Sequence, residues 1–126
     1  IVRGFTVEKP ETVATAIRIG KPASWKQAEA ARDESGGLIR MVSDAGILEA
    51  YKLVAETEGV LAEPASAASI AGVIKLAKDN FFRSGERVVC TLTGHGLKDP
   101  DNAIAQSVAP VTIPPEMAEV RKVLGF

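Results

Sequence analysis

The sequence predicts an α/β protein, because stretches with helical periodicity alternate with short runs of strand-forming residues. The strand candidates are residues 38–42 (LIRMV) and 88–92 (VVCTL). Two strands are too few for a free-standing sheet. We therefore expect a segment of a larger domain, which the first residue, Ile1, also suggests.

Four helices are expected from their boundary residues. Serine caps, a proline at a first helical position and glycine stops mark where these helices begin and end. The predicted helices follow Ser24 up to Gly36, follow Ser43 up to Gly59, run from Pro64 to about Asp79, and occupy the segment after Pro114.

The third of these helices has an unusual first half, made almost entirely of Ala, Ser and Gly. Such side chains allow close approach of another backbone or of a flat ligand. We expect Ile70, Val73, Ile74 and Ala77 to form its core-facing stripe.

Composition limits the functions that the chain can have. Its 126 residues, 46% hydrophobic and 25% charged, are enough for a domain with a core. Fifteen basic residues balance sixteen acidic ones, so we expect no binding to nucleic acid or to membranes. One Cys and one His allow neither an internal disulfide nor a Cys/His metal site. These features favour a soluble cytoplasmic protein without a metal.

Three segments contain residues suited to chemistry, each with a structural alternative. Residues 91–99 (TLTGHGLKD) place a glycine-rich turn and His95, a candidate general base, after a strand; the alternative is a tight turn alone. Residues 63–69 (EPASAAS) suit a flat cofactor or a capping carboxylate on a closely packed helix. Residues 14–25 (ATAIRIGKPASW) contain Arg18, which requires an anion or, by default, an internal salt bridge.

Hydrolytic chemistry is not expected. Cys90 lies in an apolar strand, where burial as a small hydrophobic residue is the simplest prediction. The serines of residues 63–69 lack the G-x-S-x-G elbow that exposes a nucleophile.

Three longer strings, in this order, closely resemble the C-terminal third of the threonine synthase family of fold-type II pyridoxal-phosphate enzymes. They are ETVATAIRIGKPASW, EGVLAEPASAASIAG and VVCTLTGHGLKDPD. The similarity covers the chain from about Gly4 to Asp101. It implies that residues 1–126 are the C-terminal segment of the cofactor-binding catalytic domain, with no separate second domain. The implied fold is a three-layer α/β domain like that of tryptophan synthase beta chains.

The resemblance also implies an activity for the complete protein. Members of this family are lyases of threonine biosynthesis that use pyridoxal 5'-phosphate to convert O-phosphohomoserine and water into threonine and phosphate. In cofactor enzymes of this kind the protein positions the cofactor and tunes its ring. A homodimer is expected for the complete enzyme.

Three cofactor-binding residues follow from the resemblance, and no catalytic residue does. Thr93 matches the residue whose hydroxyl meets the pyridine nitrogen, and a hydroxyl can donate to an unprotonated ring nitrogen. Glu63 matches the acidic residue before the small-residue helix beside the cofactor. Ala16 matches part of the loop that lines the amino-acid side of the pocket through backbone atoms.

The chain also departs from the family pattern. Lys21 stands where the family often has Asn. The lysine to which the family attaches its cofactor and the glycine-rich phosphate loop lie upstream in the family, and none of the eight lysines here matches that motif. We expect residues 1–126 alone to be inactive.

Two other functions are compatible with the sequence. A related fold-type II enzyme, similar to threonine or serine dehydratases, would share the cofactor architecture but differ in its substrate contacts. A free-standing binding or regulatory domain would need no cofactor and should unfold cooperatively on its own.

Overall fold

The computed structural model describes all 126 residues and contains five α-helices. Single turns of 3-10 helix cover Thr15–Ile17 and Gly96–Lys98. No helix has both the length and the apolar character needed to cross a membrane. The helices are α1 (Trp25–Ser35), α2 (Asp44–Glu58), α3 (Pro64–Lys78), α4 (Pro100–Gln106) and α5 (Met117–Leu124).

The helix ends confirm most of the predicted boundaries. Gly36 and Gly59 follow α1 and α2 with φ of 63° and 65°, the left-handed conformation that glycine adopts at little cost. The Ser43 hydroxyl caps α2 by accepting a hydrogen bond from the Gly46 N–H at 3.2 Å. Ser24 occupies the N-cap position of α1 as predicted, but its side chain accepts no hydrogen bond from the helix.

Helix α4 is not among the predicted helices. It begins at Pro100, and the Asp99 carboxylate caps it by accepting from the Asn102 N–H at 3.3 Å. An acidic cap followed by proline at the first helical position is a common helix start.

The core lies between α2 and α3. Ile47, Ala50 and Tyr51 of α2 pack against Ala67 and Ala71 of α3, and Ala14 completes the cluster. The bulky residues of α2 need a partner with small side chains, so the small-residue face of α3 turns inward. The predicted core stripe on α3 is confirmed only in part: Ile70 and Ile74 pack against the edge of the cluster, where they are partly buried, whereas Ala77 is exposed.

The two predicted strands do not form a sheet. Residues 38–42 and 88–92 have no strand pairing, and the single β-type contact is an isolated antiparallel bridge between Ala62 and His95. Val89 is 91% exposed, and Cys90 is half-buried rather than buried. A strand depends on hydrogen bonds to a neighbouring strand, and the two segments do not pair with each other.

Candidate functional site

The turn after residues 88–92 lies against the residues that lead into α3. The Glu63 N–H donates to the Gly94 carbonyl at 3.0 Å, and the Gly96 N–H donates to the Leu61 carbonyl at 2.8 Å. These two bonds flank the bridge between Ala62 and His95. Two of the three segments singled out in the sequence therefore meet in one place.

Glycine makes this close approach possible. A Cβ atom at Gly94 would overlap the carboxyl group of Glu63, and one at Gly96 would overlap the side chain of Leu61. Both glycines therefore allow contact between two segments of the chain. The alternative prediction, a tight turn alone, involves no second segment.

A pair of hydroxyl groups connects the turn to α3. Ser66 Oγ lies 3.1 Å from Thr93 Oγ1, accepts from the Gly94 N–H at 2.7 Å, and is 3.2 Å from the Gly94 carbonyl oxygen. Ser66 is 2% exposed, whereas Thr93 is exposed. The buried serine thus contacts the hydroxyl of an exposed residue, and a hydroxyl can donate a hydrogen bond to a ligand.

Glu63 supplies a buried negative charge beside this hydroxyl pair. The residue is 4% exposed, and its carboxylate forms an ion pair with Lys98 Nζ at 3.7 Å. A buried carboxylate requires such compensation. Because Lys98 follows the turn, the ion pair is a third connection between the two segments.

The third segment joins the site through Asp99. Thr15 Oγ1 and Asn102 Nδ2 donate to the Asp99 carboxylate at 2.8 and 2.9 Å, and Asn102 Nδ2 also donates to the Val13 carbonyl at 2.9 Å. Burial opposes ionisation of Asp99, but the hydrogen bonds from Thr15 and Asn102 outweigh it, so the pKa of Asp99 lies below its ordinary value. Burial, followed by the charge of Asp99, raises the pKa of Tyr51.

Ala16 occupies the middle of the 3-10 turn that Asp99 holds. Its side chain is exposed, and its backbone N–H donates no hydrogen bond within the chain. Ala16 therefore adjoins the site through Thr15, without a hydrogen bond to Thr93 or Glu63.

Two other residues singled out in the sequence have structural roles. His95 Nδ1 accepts from the Leu97 N–H at 3.1 Å and caps the short 3-10 turn. Arg18 pairs with Glu11 at 3.5 Å and donates to the Thr12 carbonyl at 2.6 Å, which confirms the expected internal salt bridge.

A large open cleft lies beside the site. Its volume is about 1050 Å³, and its walls include Arg18, Leu38, Val42 and Gly72 but neither Thr93 nor Glu63. The candidate site is thus one wall formed by the turn, by the start of α3 and by the Thr15–Ile17 turn. The large cleft adjoins this wall at Ile17 and Ser69 but does not reach Thr93 or Glu63.

Sequence reasoning missed Ser66 and Asp99 as members of this site. Ser66 lies among small residues whose pattern predicts a packing face, so its hydroxyl was not singled out. For Asp99 a signal existed, since an acidic residue before Pro100 indicates a helix cap and hence an ordered carboxylate.

Comparisons with known proteins identify the family to which the chain belongs. The family model described as "Pyridoxal-phosphate dependent enzyme" matches residues 2–94. Threonine synthase from Bacillus sp. is 59% identical over 85% of the chain and 30% of its own length. The enzymes of Mycobacterium tuberculosis and Synechocystis sp. are 55% and 51% identical over 91% and 99% of the chain.

The chain spans about a third of the length of these curated relatives: 32% of the Mycobacterium tuberculosis enzyme and 33% of the Synechocystis one. The family match includes Glu63, Ser66, Thr93 and Gly94, which form part of the contact between the turn and α3. Since that match extends over most of its residues, the chain belongs to the family of pyridoxal-phosphate dependent enzymes.

Proposed function

We propose that the chain is the C-terminal segment of a threonine synthase, and that residues 1–126 form part of its catalytic domain without a second domain. The complete protein would convert O-phosphohomoserine and water into threonine and phosphate. Support comes from the relatives, which bear this name and match 85% or more of the chain. The contribution of this segment would be one wall of the cofactor pocket.

The residues of the candidate site fit the ring side of pyridoxal phosphate. When bound, the cofactor supplies the carbanion-stabilising chemistry. The observation that carries the proposal is the hydroxyl of the exposed residue Thr93, which lies 3.1 Å from the hydroxyl of buried Ser66. A hydroxyl can donate to an unprotonated pyridine nitrogen, whereas a carboxylate would favour a pyridinium. Thr93 would therefore bind the ring in its neutral form.

Glu63 and Ala16 would line the pocket beside Thr93. The Glu63 carboxylate is buried against Gly94 and compensated by Lys98, so its charge is fixed next to the turn. The exposed Ala16 offers a backbone N–H that has no acceptor within the chain. A free N–H suits the carboxylate of an amino-acid substrate.

The fold of the complete domain would follow from the same proposal. In a three-layer α/β domain, residues 38–42 and 88–92 would pair with strands from the remainder of the protein. Thr93 and Gly94 would then lie at the carboxyl end of a strand, where open α/β sheets bind ligands. We extend the proposal to a homodimer in the cytoplasm, where a single Cys without a disulfide partner is ordinary.

The proposal is tested in the complete protein with Thr93→Val and, as the matched control, Thr93→Ser. Valine removes the hydroxyl at nearly constant volume, and we expect the dissociation constant for pyridoxal phosphate to rise about tenfold, while serine retains the value of the unmodified protein. Phosphate release from O-phosphohomoserine should fall in parallel. Unchanged binding and activity in Thr93→Val would remove Thr93 from the site.

A second experiment tests the division of the enzyme between this chain and the rest. Borohydride reduction fixes bound pyridoxal phosphate to its lysine, and peptide mapping then locates that lysine. We expect one adduct outside residues 1–126, and neither a specific adduct nor activity in the isolated 126-residue chain. An adduct on one of the eight lysines of this chain would contradict the proposal. Formation of 2-oxobutanoate from threonine, without threonine synthesis, would indicate a dehydratase instead.

A further inference from the structure

The hydroxyl of Ser66 has more hydrogen-bond neighbours than it has protons. Its oxygen accepts from the Gly94 N–H at 2.7 Å, which leaves one hydroxyl proton and two oxygen atoms within reach. Those atoms are the Gly94 carbonyl oxygen at 3.2 Å and Thr93 Oγ1 at 3.1 Å. The direction of this one proton decides what Thr93 offers to a ligand.

The Gly94 carbonyl already has a donor. It accepts the Glu63 N–H at 3.0 Å, so it does not depend on Ser66 for satisfaction. If Ser66 donated to Gly94 instead, Thr93 could keep its 3.1 Å hydrogen bond with Ser66 only by donating, and would then present only lone pairs to the pocket. If Ser66 donates to Thr93, the Thr93 proton stays free for an acceptor on its exposed side.

We propose that Ser66 is a positioning residue that donates its proton to Thr93 Oγ1 and thereby turns the Thr93 proton toward the ring nitrogen of the cofactor. This inference rests on the proposed function, since it needs a ring acceptor at Thr93. The resulting chain of donors runs from the Gly94 N–H to Ser66, then to Thr93 and on to the ring. Each donor in such a chain polarises the next.

The arrangement also explains why the serine is buried. At 2% exposure Ser66 has almost no contact with water, so its proton has no competing solvent acceptor. A donor fixed in this way favours a neutral ring nitrogen, which accepts, over a pyridinium, which would need an acceptor at Thr93. Ser66 thus selects the protonation state of the ring without touching it.

The test uses the complete protein loaded with pyridoxal phosphate labelled with 15N at the ring nitrogen. The 15N resonance reports whether that nitrogen accepts a hydrogen bond, independently of turnover. Four variants are compared with the unmodified protein: Thr93→Val removes the direct donor, Ser66→Ala removes the second hydroxyl, Ser66→Cys keeps a side chain of similar size with a weak donor, and Ser66→Thr keeps the hydroxyl.

We expect Ser66→Ala and Ser66→Cys to shift the 15N resonance toward that of Thr93→Val and to raise the cofactor dissociation constant about 3- to 10-fold. Ser66→Thr should retain the unmodified resonance. If Ser66→Ala does not fold, Ser66→Cys decides the question.

The outcomes separate this inference from the proposed function. A resonance that moves in Thr93→Val but not in the Ala and Cys variants of Ser66 would overturn the role of Ser66 alone. The same holds if Ser66→Thr shifts like Ser66→Ala, because packing would then explain the effect. A resonance that is unchanged in Thr93→Val would overturn the assignment of Thr93 and with it the proposed ring contact.

Discussion

Replacing Gly94 by alanine tests the contact that joins the turn to α3. The added Cβ would overlap the Glu63 carboxyl group, which is buried. Either the side chain leaves its ion pair with Lys98, or the backbone separates at the bond from the Glu63 N–H to the Gly94 carbonyl. Overpacking of this kind costs about 1–3 kcal/mol.

Hydrogen–deuterium exchange of the complete protein measures that cost locally. If the cost falls on the opening that exposes the Glu63 N–H, about 1–3 kcal/mol corresponds to exchange that is about 5- to 160-fold faster. Gly72→Ala is the matched control, because a Cβ at Gly72 meets no atom within 4 Å. Alanine in the middle of α3 should leave exchange unchanged or slow it.

A second substitution identifies the atoms responsible. In a Glu63→Ala background the colliding carboxyl is absent, so adding Gly94→Ala should have little further effect. The reasoning would be refuted by exchange in Gly94→Ala that matches Gly72→Ala, or by a penalty of the same size in both backgrounds.

Two further predictions concern the caps and the buried carboxylate. Ser43→Ala should destabilise α2 by about 0.5–2 kcal/mol, whereas Ser24→Ala should have almost no effect on α1, as measured by local exchange; equal effects would contradict the observed caps. The folded-state pKa of Asp99 lies below the ordinary 3.8, so its contribution to stability is present above about pH 4 and is lost as the pH falls through that lower pKa. The free energy of opening near Thr15, obtained from exchange rates corrected for the intrinsic rate at each pH, should therefore fall in acid, and Asp99→Asn should abolish this pH dependence.

Local chemistry explains which parts of the fold could be predicted. Ser43, Gly59 and Pro64 act within one turn of their own helix, so the sequence around them is sufficient to place a boundary. Whether residues 88–92 form a strand could not be predicted in this way, because a strand depends on hydrogen bonds from residues that are distant along the chain. The β-branched residues of this segment favour an extended conformation but do not identify the neighbouring strand with which it would pair.

The residues of the candidate site also differ in whether the sequence alone could identify them. Family resemblance selected Thr93 and Glu63, and the structure brings their segments together. Ser66 could not be selected from its type, since a serine in the first turn of a helix is common, and only its contacts with Thr93 at 3.1 Å and with the Gly94 N–H at 2.7 Å distinguish it. The inward face of α3 was predicted in part: the expected close approach through small residues is seen at Ala67 and Ala71, but hydrophobicity also favoured Ile70 and Ile74, which are only partly buried.

The hydrogen bond between Thr15 and Asp99 has a consequence for the order of events during synthesis. Its partners are 84 residues apart, and the bond between Asn102 and Val13 spans 89. A ribosome adds about 5–20 residues per second, so Thr15 exists for roughly 4–17 s before its partner does. Helices such as α2 form within about a microsecond of becoming free to fold. The earliest time at which the hydrogen bond between Thr15 and Asp99 can form is therefore set by translation.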